Sequence, residues 1–575
     1  MTCRAKDSSA IPANLPKGCS GSAVSARCGG GLGGGSVVAG SGFSLPQDFT
    51  SLPEREGLVS LPAESLCQQV FRGMKDSQDP QTADPTYARL IQNCYPLDSG
   101  MGARLVGRPG YALLGAQIGV PSSAFSSGFS SGFGGSKRVQ GIYQYTKLSG
   151  TETTIVIAGG KLYHYTWATD TFTEKTLAAA TLSAGGTCYF LTIADVVVIS
   201  DGVNTPFTWD GTDDVVLTAC PVLYGQPVNY YAKLFGIKNT ERSTIVWCEE
   251  GDPTTGYEYA GYNNAWTLGQ TDQDPLYALL GTNEALYYWR ARSIGAIRGA
   301  VDADFINSGT REGVSQTYGS KSPDGIVVGG ANAYFMDADN KVRSLSISGG
   351  RINNQIWQSL RETLTSWDET KLAMSRCVFD PQTNLVLVGV VKNGSNECNG
   401  YIAIDADSGE VAGFWDGWVS TSMAIVKDAN GEPTIMHGSD NGFAYKHGTP
   451  DGAIWDDTNA AGDGGYVPIT HKVTGAHLGA HMYLAKRFVR WDVSVWAETD
   501  MNLSLYYRTP RGTSTAQSKT VDLSTFPVEY HVSVGIDGDG RWILPTIEHA
   551  NASERFGLER WCVTAVTYGQ EPGIP

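Results

Sequence analysis

From Arg138 to His447 the chain repeats one rhythm of short apolar runs and turn residues. Ile142-Tyr143-Gln144-Tyr145 is followed by Thr154-Ile155-Val156-Ile157-Ala158, the turn Gly159-Gly160, and Leu162-Tyr163-His164-Tyr165. Val196-Val197-Val198-Ile199, the turn Asp201-Gly202, Pro206-Phe207-Thr208-Trp209 and the turn Asp210-Gly211 repeat the scheme. Later echoes are Tyr230–Ile237 with Ile245–Cys248, Ala285–Trp289 with Ala296-Ile297, and Ile326–Gly330 with Ala333–Met336, Asp339-Asn340 and Val342–Leu345. The last copies are Leu385–Val391, Tyr401–Ile404 with Trp415, and Thr434–His437 with Phe443–Tyr445. Successive strand residues point to opposite faces, and Gly, Asn and Asp supply the left-handed turns between them. A period of roughly 40–50 residues holding four short strands predicts a β-propeller of about six or seven blades. One interruption, Ile352–Leu364, has its apolar residues at helical spacing and predicts a helix.

The ends differ from this body. Residues 1–50 form a Gly-rich arm with little apolar periodicity, around Gly29-Gly30-Gly31-Leu32-Gly33-Gly34-Gly35. No Gly-Lys-Ser/Thr follows it and no strand precedes it, so neither nucleotide-binding reading fits. Residues 51–103 are expected to be a short helical segment, with Pro62-Ala63-Glu64 opening one helix to about Met74 and a second over Pro85–Gln92. The expected propeller body spans 104–455 and carries a Ser/Gly/Phe loop at 121–136, where Phe125, Phe129 and Phe133 recur at fixed spacing. Residues 466–575 alternate strictly in Phe488–Trp496, Leu503–Arg508, Tyr530–Val534 and Trp561–Val566, which predicts a β-sandwich. The fold class expected is therefore all-β, with a mostly irregular N-terminal arm.

Composition narrows the function classes. Glycine numbers 70 of 575 residues and charged residues are only 17%, against about 25% charged in an ordinary domain. The net charge is −16, with 42 Lys and Arg and no basic run, unlike a DNA-reading surface. No apolar stretch is long enough for a membrane span. The first residues lack a signal-peptide core. The 11 cysteines are dispersed without a Cys-x-x-Cys, which predicts reduced thiols in a protein made in the cytosol.

Several clusters carry candidate chemistry beside a plainer reading. His471, His477 and His481 are near enough in sequence to suggest zinc, but their spacing fixes no common face, so ordinary histidines are expected. Asp405–Glu410 and Asp537–Gly540 begin like calcium loops and lack the later ligands; hairpin-tip geometry accounts for both. Ser439-Asp440-Asn441-Gly442-Phe443 partly matches the Asp-boxes of sialidase propellers, without the assembled catalytic set. Trp247, Trp266, Trp289, Trp357, Trp367, Trp415 and Trp418 are expected in blade cores rather than as sugar platforms.

The order of these segments resembles a family. Gly107-Arg108-Pro109-Gly110-Tyr111 is followed by Gly141–Thr166, Val196–Gly211, Gly329–Ser346, a helix, Asn384–Val391 and a terminal sandwich bearing Arg487, Arg490 and Arg508. Over about Arg104–Pro575 this is similar to the tail nozzle, tail hub or DNA-stabilisation proteins of short-tailed bacteriophages. The resemblance implies a non-enzymatic structural protein of the virion tail, assembled in the host cytoplasm and needing no cofactor. It implies a homo-oligomeric ring, typically a hexamer, below a portal-adaptor ring. Double-stranded DNA would pass through, and tail fibre or plug proteins would attach. Within that reading Phe125, Phe129 and Phe133 are candidates for a channel or gate loop, and Leu61, Leu66, Val70 and Phe71 for an inter-ring contact. The competing readings are a receptor- or glycan-binding propeller adhesin and, behind it, a propeller glycosidase.

Overall fold

The computed structural model describes residues 63–68, 71–76, 84–98, 103–115, 118, 138–258, 263–269, 274–299, 305, 309–353, 356, 360, 363–392, 394–449, 454, 456–458, 466–479, 484–497, 501–514, 517–521, 530–550 and 556–570. These residues are almost entirely β. Seven antiparallel sheets follow one another along the chain. The first runs from Val139–Thr146 to Thr171–Lys175 and the second from Tyr189–Ile193 to Asp214–Val216. The third starts at Leu223–Tyr230, the fourth at Leu276–Gly281 and the fifth at Ile326–Gly329. The sixth spans Cys377–Asp380 to Val411–Ser420. The seventh takes Ser422–Lys427, Pro433–Gly438 and Ala444–His447, and its fourth strand, Tyr111–Leu114, comes from far upstream.

Packing explains why the sequence runs are apolar on both faces. Leu385–Val390 is buried throughout. Leu385 and Leu387 face the seventh sheet with Ile435 and Tyr445, while Val386 and Val388 face the fifth with Tyr334 and Val342. The same division by alternate residues holds elsewhere. Tyr287 and Trp289 meet Phe335 of the fifth sheet, and Leu286 and Tyr288 meet Phe235 and Trp247 of the third. The series closes on itself, because Val426, Met436 and Ala444 of the seventh sheet pack on Val139, Val156 and Tyr163 of the first. Seven sheets, each buried against the next and the last against the first, is the packing expected of a seven-bladed propeller. The turns match the sequence reading: Gly159, Gly160, Gly202, Gly211 and Asn340 all have positive φ.

The sandwich is larger than the C-terminal segment alone. One sheet holds Tyr530–Gly540, Leu484–Ala497 and Phe556–Gln570, to which the upstream strands Glu64–Gln68, Cys94–Asp98 and Ala103–Gly107 are added. The other holds His471–Thr474, Leu544–His549 and Met501–Thr509. It continues through Leu90–Gln92 into the last strand of the sixth sheet, where Gln92 pairs in parallel with Phe414. Trp491, Val493, Leu503, Leu505, Ile547, Trp561 and Val563 form its core together with Phe71, Met74 and Ile91.

These upstream strands correct several expectations. The segment 51–103 is not helical where it is described; Glu64–Gln68, Gly73–Met74, Tyr87–Ala88 and Leu90–Gln92 are strands. Sandwich pairing partners at the far end of the chain override the local helix signals. Within the expected helix Ile352–Leu364, the ends differ: Ile352–Asn353 is a strand and Thr363–Ser366 a 3-10 turn, while Ile356 is helical and, like Leu360, buried. Asp537–Gly540 lies inside a strand rather than at a hairpin tip. Cys67 and Cys562 form a disulfide, so the thiols are not all free. The arm 1–50 lies outside the described residues.

Candidate functional site: the sheet axis and the N-terminal latch

The first strands of most neighbouring sheets touch one another, which places them nearest the common axis. Polar side chains at their starts cross that axis. Arg376, just before the first strand of the sixth sheet, donates from Nη1 to Asp324 Oδ2 at 2.7 Å and from Nη2 to Thr187 Oγ1 at 3.1 Å. Asp324 precedes the fifth sheet and Thr187 the second, so one guanidinium spans opposite sides of the ring. Arg138, before the first sheet, forms a two-pronged pair with Glu397 of the sixth, at 3.1 and 3.2 Å. Burial pushes the carboxyls of Asp324 and Glu397 up, and the arginines beside them oppose this. Gly225, at φ +72°, brings the third sheet's backbone so close to Pro323 and Tyr277 that a Cβ would contact both. Each arginine is neutralised by a carboxylate of the same chain, and the arrangement acts as a cross-tie between the starts of different sheets.

The second cluster sits where the N-terminal segment enters the seventh sheet. Gly107 and Gly110 allow this approach: a Cβ on Gly107 would lie 2.5 Å from His471 Nε2, and one on Gly110 2.1 Å from the Asp456 carbonyl oxygen. Arg108 is 1% exposed. It donates to both carboxylate oxygens of Asp457, at 2.9 and 2.5 Å, to Asn93 Oδ1 at 3.0 Å and to the Asp416 carbonyl at 2.6 Å. Its guanidinium carbon lies 4.7 Å from the centre of the Trp418 ring. Tyr111 donates to the Gly417 carbonyl. It also packs edge-on to His437 and Tyr445. His437 Nδ1 and His447 Nε2 share a hydrogen bond at 2.9 Å. Burial holds His437 well below the ordinary imidazole range and His447 at about 3. Burial also pushes the Asp457 carboxyl up, against the pull of Arg108. The latch strand is thus fixed by a buried ion pair and a neutral imidazole pair, not by backbone pairing alone.

The sequence-level candidates fall elsewhere. Phe125, Phe129 and Phe133 lie outside the described residues, as do Leu61, Val70, Trp357 and His481. Leu66 pairs opposite Val563 and packs on the sandwich core. Phe71 is fully buried, edge-on to Trp561 at 5.5 Å. The described part of the proposed inter-ring contact is therefore interior to the chain's own sandwich, and Phe71 offers no surface to a neighbour. His471 stacks on His549 at 5.9 Å and His477 packs on Trp542, so these two histidines are built into the sandwich. Trp247, Trp289, Trp367, Trp415 and Trp418 are buried, in keeping with a core role. At Asp405–Glu410 the Asp405 carboxylate accepts from the Ser408 amide and Gly409 is left-handed, a hairpin tip as expected. Arg108, Arg376 and the His437–His447 pair were not singled out by sequence pattern. Arg108 stood in the quoted Gly-Arg-Pro-Gly-Tyr run, but its partner Asp457 is 349 positions away.

No family model and no curated protein matches the chain. Among solved structures, the chain is similar to the extracellular domain of a putative hybrid two-component system, BT4673, from B. thetaiotaomicron. Identity is 10%, coverage 59% of this chain and 39% of that one, and the TM-score 0.34. It is also similar to BBS1N in complex with ARL6DN, at 11% identity, covering 60% of this chain and 98% of that one, with a TM-score of 0.34. The chain thus spans about two-fifths of the length of the first of these structures.

Proposed function

We propose that the protein is a structural subunit of a phage tail nozzle or hub ring. In this reading several copies, six in the expected ring, extend the DNA channel of a portal-adaptor ring, help to retain packaged DNA, conduct it on ejection and anchor other tail parts. The observation that carries the reading is the order of modules over about Arg104–Pro575: seven sheets in cyclic succession followed by a sandwich.

Three physical features support it. The sheet running from the sixth unit through Leu90–Gln92 into the sandwich makes a stiff joint between the modules, as a load-carrying ring subunit requires. The cross-tie of Arg376, Asp324 and Thr187 bridges the starts of sheets two, five and six, so in this reading a duplex passes between copies rather than through one. A net charge of −16 suits a lumen that does not grip phosphates, since each Lys or Arg contact adds affinity by counterion release. Among the described residues no helix is long and apolar enough to cross a membrane.

The test is electron microscopy and native mass measurement of the purified full chain, alone and beside intact particles. Rings of one stoichiometry, matching density below a capsid vertex, are expected. A protein that stays monomeric at high concentration and is missing from particles would overturn the reading, and selective glycan binding by such a monomer would move it to the adhesin class.

A further inference from the structure

We propose that the Cys67–Cys562 bond is a redox-operated clasp on the N-terminal edge strand of the sandwich. The two cysteines stand directly opposite each other in the antiparallel pair of Glu64–Gln68 with Phe556–Gln570. Both are only half-buried. They lie on the outer face, because Leu66, Trp561, Val563 and Ala565 take the core face. The other described cysteines are shielded. Cys94, Cys188, Cys220, Cys248 and Cys398 are buried and Cys377 partly so. Burial raises their thiols, Cys248 to about 11 and Cys398 to about 12, which keeps them protonated and slow to exchange. Redox chemistry among the described residues is thus directed to one pair.

That pair reinforces a short edge strand. Glu64–Gln68 is five residues long and pairs, among the described residues, with one neighbour only. Beyond the ladder, its anchors among the described residues include the Leu66 side chain on the core, the attraction of the Glu64 carboxylate for Lys486, and Gln68 Oε1, which accepts from Trp561 Nε1 and the Ala476 amide. Short edge strands open locally at low free energy. With the sulfurs joined, an opened strand stays tethered at its partner and recloses. With both reduced, it can leave, and the N–H and C=O groups along Trp561–Ala565 lose their partners on that side.

Closure is a thiol–disulfide exchange with a small-molecule disulfide such as oxidised glutathione. One cysteine thiolate attacks the glutathione disulfide and releases one reduced glutathione. The second cysteine displaces the other from the mixed disulfide. Two electrons pass from the protein thiols to glutathione, and the two thiol protons go to the released thiolates or solvent. A dithiol reductant reverses the sequence.

The test compares the full chain after oxidised glutathione and after dithiothreitol. Non-reducing peptide mapping is expected to recover Cys67 joined to Cys562. Hydrogen exchange at 64–68 and 561–565 is expected to quicken by at least about tenfold on reduction, with Leu385–Val390 unchanged, and to slow again on reoxidation. Cys67→Ser should exchange at the fast rate whether or not reductant is present. The comparison of the two wild-type states stands even if the variant folds poorly. Pairing of Cys67 with Cys3, Cys19 or Cys28 instead, or exchange at 64–68 indifferent to reductant, would overturn the proposal.

Discussion

Replacing Arg108 by alanine tests whether the latch is held by its buried ion pair or merely by backbone pairing. The substitution removes two bonds to Asp457, one to Asn93 and one to the Asp416 carbonyl, and the cover over Trp418. Asp457 is 5% exposed, so its carboxylate would be left in a low-dielectric site without a counter-charge. Breaking a buried pair from one side costs about 3–5 kcal/mol, a large share of the ~5–15 kcal/mol that a domain has. Chemical denaturation followed by tryptophan fluorescence should show this as a lower first midpoint. Hydrogen exchange should quicken in Tyr111–Leu114 and in its partner Ala444–His447. Arg108→Lys keeps the charge but not the planar fork, so its loss should fall between wild type and alanine. The double variant Arg108→Met, Asp457→Leu removes both charges and should recover part of the loss. A loss below ~1 kcal/mol in Arg108→Ala, where surface changes fall, or unchanged exchange at Tyr111–Leu114, would refute the argument.

Phe71→Ala should destabilise the isolated chain by about 3–5 kcal/mol, because a fully buried ring against Trp561 is lost; thermal unfolding of the monomer would expose an error if it did not move. Lowering the pH should weaken the fold in a stated window. His447 is held at about 3 in the folded chain against an ordinary 6.5, so between those values the unfolded chain binds the extra proton and stability falls as pH falls. That one group contributes a loss of ~2 kcal/mol by pH 5, and His437 and His471 act in the same sense. Asp324, Glu397 and Asp457, whose carboxyls burial pushes up, act in the opposite sense. The check therefore compares the urea-midpoint change from pH 7 to pH 5 in wild type and in His447→Gln; a wild-type midpoint that did not lose more than the variant's on acidification would refute it.

What could be read from the sequence was set by locality. Period-two runs such as Leu385–Val390 and turns such as Asp201-Gly202 are encoded within a few residues, and their strands formed as expected. The unit length of the repeat also survived, because each sheet is built from consecutive strands. The segment 51–103 departs from its local signals for the opposite reason. Pro62-Ala63-Glu64 has local helix chemistry, yet Glu64–Gln68 pairs with residues some five hundred positions later, starting with Glu64 opposite Ala565. Tertiary pairing outweighs propensity in such a strand. The disulfide was hidden likewise: dispersed cysteines carry no spacing signal when the partners are 495 positions apart. The latch and axial clusters share this property, since Arg108 meets Asp457 and Arg376 meets Thr187 only after the ring has closed.

These long-range ties also order events. Tyr111–Leu114 completes the seventh sheet, whose other strands lie at Ser422–Lys427 and beyond. Glu64–Gln68 and Ala103–Gly107 need Phe556–Gln570, which lies far downstream in the chain. The ring of sheets therefore waits for Ala444–His447 and the sandwich for Phe556–Gln570, and non-local pairing of this kind is slow. The N-terminal strands leave no room for two separately finished modules, because Leu90–Gln92 belongs to the sixth sheet and to the sandwich at once. For a protein proposed to join a ring, that shared strand ties the register of the sandwich to the last strand of the sixth sheet.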